Sequence, residues 1–372
     1  MSEHLPQRTE TGWLPKTLAF VLVLVFLLAL PLSLLAFDVW RVVFNPPLIK
    51  KIIAEEVIQS DLIPVALEWF SHQRAQQRVD SGEALAGVNE PDIILLMSFL
   101  DREDWRAIKQ EVLPDEILIK WTAVAVEGVY AWIDSDERVP QITWDLTPFI
   151  QRVNSEHGTN AILIAYDKLP PCTQTEIDDF THRQALAPGT EVLYNLCEFP
   201  APWHDDQIGD YKNALANVVK SLPPEFALTD ELARVADRGG AGPEALKRQL
   251  RLIRTLGMLA WVLPLLLVLL IAGLAVRSLT SLAQWLGVPL MVGGFEVLLP
   301  ALAARRLINN VLSTGVLSET PEAIRAEVLR VIGRVADEIF GPMLIEAIIL
   351  IGVSVGLIVW YWVKESRPQS KP

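Results

Sequence analysis

Four apolar runs, Thr17 to Phe37, Leu256 to Val276, Leu282 to Ala304 and Phe340 to Val363, decide what this chain can become. Each holds 21 to 24 residues. At a rise of 1.5 Å per residue, about 20 apolar residues in a helix cross a hydrocarbon layer of roughly 30 Å. The expected fold is therefore an all-α membrane protein, with four transmembrane helices and a mainly helical extracytoplasmic domain. The expected divisions are a cytoplasmic tail over 1–16, spans at 17–37, 256–276, 282–304 and 340–363, the aqueous domain over 38–255, an external loop with an amphipathic helix over 305–339, and a second cytoplasmic tail over 364–372.

Charge narrows the partners. Asp38 to Arg251 carries 20 Lys+Arg against 35 Asp+Glu, a net charge of −15 on 214 residues. Such a surface repels nucleic acid and anionic headgroups at long range, so no nucleic-acid partner is expected. The expected partners are the lipid bilayer and other envelope or membrane proteins.

Orientation rests on competing signals. Arg8 and Lys16 precede the first run, and Leu34 before Ala36 spoils a small-x-small cleavage pattern, so the run reads as an uncleaved signal anchor. With four spans both termini share a side. Placing them in the cytoplasm leaves Arg41, Lys50, Lys51, Lys247, Arg248, Arg251, Arg305 and Arg306 outside, and a bare count of basic residues opposes this. Long domains translocate largely regardless of charge, and two cysteines in the aqueous segment suit an oxidising exterior. The expected location is the cell membrane, with the large domain extracytoplasmic.

Those cysteines, Cys172 and Cys197, stand 25 positions apart between Pro170-Pro171 and Pro200-Ala201-Pro202. The setting is irregular chain that a disulfide would hold, and a bridge between them is expected.

Helical signals fill the aqueous segment. Asn45-Pro46 has the form of an N-cap followed by proline at the first helical position, and Leu48, Ile49, Ile52, Ile53 and Val57 recur behind it at helical spacing. Leu62 to Arg78 continues the pattern until Ser81-Gly82 and Gly87 break it. After Pro91, Ile93 to Leu100 is almost wholly apolar, and Asp101 is placed to cap Arg102 to Leu113. Ile117 to Ile133, with only Lys120 and Glu127 charged, reads as the buried central helix of the domain. Ile142, Trp144 and Leu146 alternate with polar neighbours, which predicts a short extended stretch. Gly239 to Gly242 marks a joint, and Pro243 opens a helix into the second span. Thr320-Pro321-Glu322 repeats the cap-then-proline signal ahead of an amphipathic face.

Candidate chemistry is sparse. Glu296 and Glu346 are carboxylates inside apolar runs, at similar depth by residue count, and such groups must be protonated, paired or wet. They are the candidates for an intramembrane proton or cation site, the basis of a transporter or channel reading. The density of Gly287, Pro289, Gly293, Gly294 and Pro300 favours a broken or bent third span. Gly352 and Gly356 have the GxxxG spacing of a helix-packing seam. His204-Asp205-Asp206 with Asp210, and Asp178-Asp179 with His182, are ordinary acidic first turns before they are metal sites. The chain has no GxSxG, HExxH, Walker A or GxGxxG pattern, so the expectation is a non-enzymatic protein with no cofactor and no metal, binding a partner or ligand or serving as a scaffold.

Leu169-Pro170-Pro171-Cys172-Thr173 and Leu196-Cys197-Glu198-Phe199-Pro200, preceded by the helix opened at Pro114 and by Trp144-Asp145-Leu146, resemble an uncharacterised family of bacterial membrane-anchored proteins. Members of that family have an N-terminal anchor, a helical extracytoplasmic region and a Pro-Pro-Cys-Thr…Cys pair. The resemblance covers roughly residues 38 to 200. Where that family carries arginine-proline after the second cysteine, this chain has Glu198-Phe199. It implies an external domain and a bridge, and no activity.

Overall fold

The computed structural model describes residues 13–81, 96–186, 197–201, 203–238, 243–276, 278–315, 317–318 and 320–366. The expected breaks at Gly82 and Gly87, the opening at Pro91 and the joint at Gly239 to Gly242 lie outside the described residues, as does the side chain of Asp210. The chain divides into two compact units. The first comprises Met1–Leu48, Ala245–Glu319 and Ile332–Pro372, and the second Ile49–Glu244 and Thr320–Val331.

The described chain is almost wholly helical. Helix α1 (Trp13–Val43) is followed by α2 (Pro46–Ile53), which passes through a π turn at Ala54–Ile58, then α3 (Leu62–Ser81), α4 (Arg102–Val112) and α5 (Asp115–Asp134). Strand β1 (Thr143–Asp145) leads into α6 (Thr147–Val153), α7 (Glu156–Tyr166), α8 (Gln174–Leu186) and α9 (Trp203–Lys220). Strand β2 (Glu225–Ala227) precedes α10 (Leu228–Arg238), α11 (Pro243–Leu259), α12 (Val262–Ala275), α13 (Leu279–Thr314) and α14 (Glu322–Glu365).

Among the described residues four helical stretches are long and apolar enough to cross a membrane: Lys16–Val43, Pro243–Ala275, Thr280–Thr314 and Glu322–Glu365. Their shared core is built from Val23, Phe26 and Leu30 of α1, Leu267 and Ile271 of α12, Leu286, Val297 and Ala301 of α13, and Met343 and Ala347 of α14. Away from that core the same helices expose large apolar side chains, among them Leu28, Leu32, Leu269, Leu299, Leu302 and Ile348.

Three boundaries differ from the sequence reading. The helix opened by Pro243 is interrupted at Ala260 and Trp261 rather than continuous. The break falls where Pro264 supplies no N–H for the Ala260 carbonyl. The third apolar run is not broken: α13 carries Pro289 and Pro300 inside 36 unbroken residues. The amphipathic stretch expected as part of a loop over 305–339 is continuous with the fourth run, giving a helix of 44 residues. The two stretches meet at Gly341-Pro342, and Pro342 is carried inside the helix.

Local signals in both units act as read. Asn45 Oδ1 accepts from the Leu48 N–H at 3.3 Å at the start of α2. Asp101 Oδ1 accepts from the Glu103 and Asp104 N–H groups at 2.8 and 3.1 Å, and Asp104 Oδ2 accepts from the Asp101 N–H at 3.0 Å, a reciprocal capping box. Those bonds to the ionised form hold the Asp101 carboxyl below its ordinary range. Asp101→Ala is expected to destabilise α4 by about 1 kcal/mol, read as faster amide exchange over Glu103 to Arg106 in the full-length protein. Exchange equal to the native rate would mean that packing alone holds that end.

The expected extended stretch is β1, paired antiparallel with β2 in the register Thr143 to Ala227, Trp144 to Phe226 and Asp145 to Glu225. Trp144 stacks between Trp121 of α5 and Phe226, at 5.7 and 6.1 Å between ring centroids. Trp121 Nε1 donates to the Asp145 carbonyl and Trp144 Nε1 to the Trp121 carbonyl. Helix α5 is less central than expected. It buries Val126, Trp132 and Ile133, and leaves Ile119 and Val124 exposed.

Candidate functional site

A cavity of about 480 Å³ lies inside the second unit. Its wall is assembled from five segments: Leu96 to Leu100, the inner face of α4 (Trp105, Ile108, Val112), the end of α6 (Phe149, Val153), α7 (Ala161, Ile162, Ala165, Tyr166) and one face of α9 (Tyr211, Leu215, Val218, Val219) with Leu222 just after it. On α9 the spacing 211, 215, 218, 219 is one helical stripe, and on α7 161, 162, 165 and 166 is another. The wall contributes almost no polar surface.

Its polar groups are not accessible from the space. Tyr166 Oη accepts from the Phe199 N–H at 2.8 Å. Trp105 Nε1 and Tyr211 Oη are buried and, among the described residues, have no hydrogen-bond partner. Burial pushes the Tyr211 phenol up to about 12, so it stays neutral. Neither donor is open to a molecule of water size. The lumen therefore offers hydrocarbon contact alone. The volume falls within the range of ligand pockets, roughly 300 to 1,000 Å³.

A strap holds one side of this wall. Cys172 and Cys197 are joined at disulfide distance, with Cα atoms 4.8 Å apart. The flanking chain forms a short parallel ladder, in which the Cys172 N–H donates to the Glu198 carbonyl at 3.0 Å and the Glu198 N–H to the Pro170 carbonyl at 2.8 Å. The next residue, Phe199, is 1 % exposed and packs on Phe180, with ring centroids 4.6 Å apart. Its N–H is the group that fixes Tyr166, which meets Tyr211 edge-on at 5.8 Å. Phe199 and Tyr166 thus connect the bridge to the cavity wall.

The other sequence candidates fall in different places. Glu346 has one carboxylate oxygen buried without a hydrogen-bond partner among the described residues. Glu296 is exposed on the flank of α13. Gly352 and Gly356 face open space, where an added Cβ would meet nothing within 4 Å. The close approaches are instead at Gly257 against Trp40, Gly293 against Leu30 and Gly294 against Ile351. His204 lies with its ring edge-on to Tyr166 at 5.3 Å and its Nδ1 3.3 Å from Asp205 Oδ1. Among the described residues no three His, Cys, Asp or Glu side chains come together as a metal site. His157 Nδ1 contacts Glu111 Oε2 at 2.5 Å, and this contact holds the Glu111 carboxyl below its ordinary range.

Comparison with family profiles, curated proteins and solved structures finds no match to this chain.

Proposed function

We propose that this is a multi-pass membrane protein of the cell envelope whose acidic helical domain, held outside the cytoplasm, binds the hydrocarbon part of an amphipathic molecule. The observation that carries the reading is the cavity: about 480 Å³ with a wall that presents no accessible donor or acceptor. A polar ligand entering it would forgo its bonds to water and gain none, whereas an acyl or isoprenoid chain loses nothing and buries its surface at about 25 cal/mol per Å². Apolar helices precede and follow this domain in sequence, so it works beside a bilayer, where such chains are abundant. Support for insertion comes from the large apolar side chains that four long helices expose, more than soluble monomers tolerate in contiguous patches. The bonded cysteine pair supports an oxidising compartment for the domain. The function is binding rather than catalysis.

The test is photocrosslinking of the full-length protein in lipid nanodiscs with a fatty acid carrying a diazirine near its methyl end. Adducts are expected on peptides containing Ile108, Ile162 and Leu215 as well as on the apolar helices. Ala161→Phe and Leu215→Trp, which fill the lumen, should each lower the cavity adducts at least tenfold while leaving those on α1 and α12 unchanged. Adducts confined to the apolar helices in the native protein would remove the basis for a binding domain.

A further inference from the structure

A groove of about 370 Å³ runs between α1 and the start of α12 in the first unit. Leu28 and Leu32 on one helix and Leu263 on the other line it and are exposed, so they form its rims, while Ala29 and Ser33 lie deeper between them. Small side chains at 29 and 33 leave the space that leucines would fill. Along α1 the groove extends from Val25 to Ala36, and eleven steps of 1.5 Å make it about 16 Å long. Just past its Ala36 end the chains close on each other, because Gly257 has no side chain to hold off Trp40 and the Ala36 carbonyl.

One polar side chain lines this groove. Ser33 is 7 % exposed, and among the described residues its hydroxyl has no hydrogen-bond partner. A serine among apolar helices ordinarily finds one, as Ser354 does by donating to the Gly287 carbonyl at 2.6 Å. An unbonded hydroxyl out of water costs free energy that an acceptor brought by a ligand recovers. Water is a poor candidate, since it needs two to four polar partners and the lining side chains offer one. A second copy of this chain would press an apolar helix face there, and helical carbonyls are engaged in their own bonds. A glycerolipid brings both things the groove lacks. Its chain is hydrocarbon, and its ester carbonyl is an acceptor. Ser33 stands four residues inside the end of the run at Phe37, about 6 Å along the helix, close to the boundary where lipid esters meet the hydrocarbon layer.

We propose that the groove between α1 and α12 is a lipid site that seats one acyl chain of a bilayer phospholipid along Val25 to Ala36, with the ester carbonyl of that chain accepting from the Ser33 hydroxyl. The chain covers Ala29 and lies between the leucine rims, and the headgroup stays in water. The site rests on the insertion of these helices in a bilayer and not on the cavity of the second unit.

The test uses the full-length protein in phosphatidylcholine nanodiscs with a trace of phosphatidylcholine that carries a diazirine midway along one chain, that chain being ester-linked in one probe and ether-linked in the other. Leu299 and Leu302, exposed on α13, report ordinary contact with the bilayer. Ester-probe adducts on Leu28, Leu32 and Leu263 are expected to be at least fivefold denser than on those two leucines, and about fivefold denser than those of the ether probe, which lacks the carbonyl. Ser33→Ala should bring the ester probe down to the level of the ether probe and leave the ether probe unchanged. Ala29→Phe, which fills the groove, should lower both to the level on α13. Groove adducts no denser than those on α13, equal labelling by the two probes in the native protein, a difference that persists in Ser33→Ala, or groove adducts that survive in Ala29→Phe each overturn the proposal. Lipid adducts that vanish as protein density in the bilayer rises would assign the groove to a second copy and overturn it as well. Loss of labelling on α13 too would remove the insertion itself, so the two failures are distinct.

Discussion

Serine at both Cys172 and Cys197 is expected to destabilise the second unit by about 3 to 4 kcal/mol and to loosen its hold on a hydrocarbon chain. The bridge closes a loop of 25 residues, and removing a crosslink of that length returns about this much freedom to the unfolded chain. The effect should be local before it is global. Without the bond, two ladder hydrogen bonds between Pro170 to Cys172 and Glu198 must hold the strap, and such bonds contribute only about 1 kcal/mol each when water competes. Phe199 then leaves its seat beside Phe180, Tyr166 loses the N–H that fixes its hydroxyl, and the contact between Tyr166 and Tyr211 opens on the cavity side. Amide exchange should accelerate at Phe199 and along Leu163 to Tyr166, with β1 and β2 little changed, and cavity crosslinks should fall. Reductant added to the native protein should reproduce the pattern. Equal exchange rates in native and serine proteins would mean that the ladder and the two phenylalanines suffice, and that the bridge does not act on the cavity.

What the sequence disclosed follows the range of the interactions concerned. The long apolar helices are legible because length and composition are local properties, and so is the Asp101 cap, whose partners lie two and three residues away. The cysteine pair is legible because there are two cysteines and no others. Asp38 escaped notice for a geometric reason. It stands one residue past the run ending at Phe37 and reads as the first polar residue of an aqueous segment, yet α1 continues to Val43 and packing buries it completely. Counting along two helices also gave Glu296 and Glu346 a similar depth, but depth says nothing about rotation about each helix axis. Rotation buries a carboxylate oxygen of Glu346 and leaves Glu296 exposed. The spacing of Gly352 and Gly356 marks a smooth helix face without saying what lies against it, while the glycines that admit a neighbour, such as Gly294 beside Ile351, carry no distinguishing spacing. The cavity was least visible of all. Its wall joins segments from Leu96 to Leu222, and each stripe reads simply as a helix's core face until the helices are assembled.

Gly158→Ala is expected to destabilise the same unit by more than 2 kcal/mol, although it adds a single methyl group to a helix and alanine is the better helix former by about 1 kcal/mol. Gly158 lies in the first turn of α7, directly after the turn Asn154-Ser155 that leaves α6. A Cβ there would collide with the backbone carbonyl of Val153. A side chain could rotate away, but a carbonyl moves only with its peptide plane, so α6 and α7 must separate or the turn must refold. Both helices wall the cavity, through Val153 on one and Ala161, Ile162 and Ala165 on the other, so the strain reaches the ligand as well as the fold. Gly209, within α9, provides the comparison, since an added Cβ there meets nothing within 4 Å. Gly209→Ala should therefore stabilise by about 0.5 to 1 kcal/mol, through helix propensity and a less free unfolded chain. The measurement is thermal unfolding of the two full-length variants with amide exchange over Thr147 to Tyr166, and the signature is opposite signs from the same chemical change. A gain at both positions would show that the turn between α6 and α7 relaxes freely, and the close fit of Gly158 against Val153 would then have no energetic meaning.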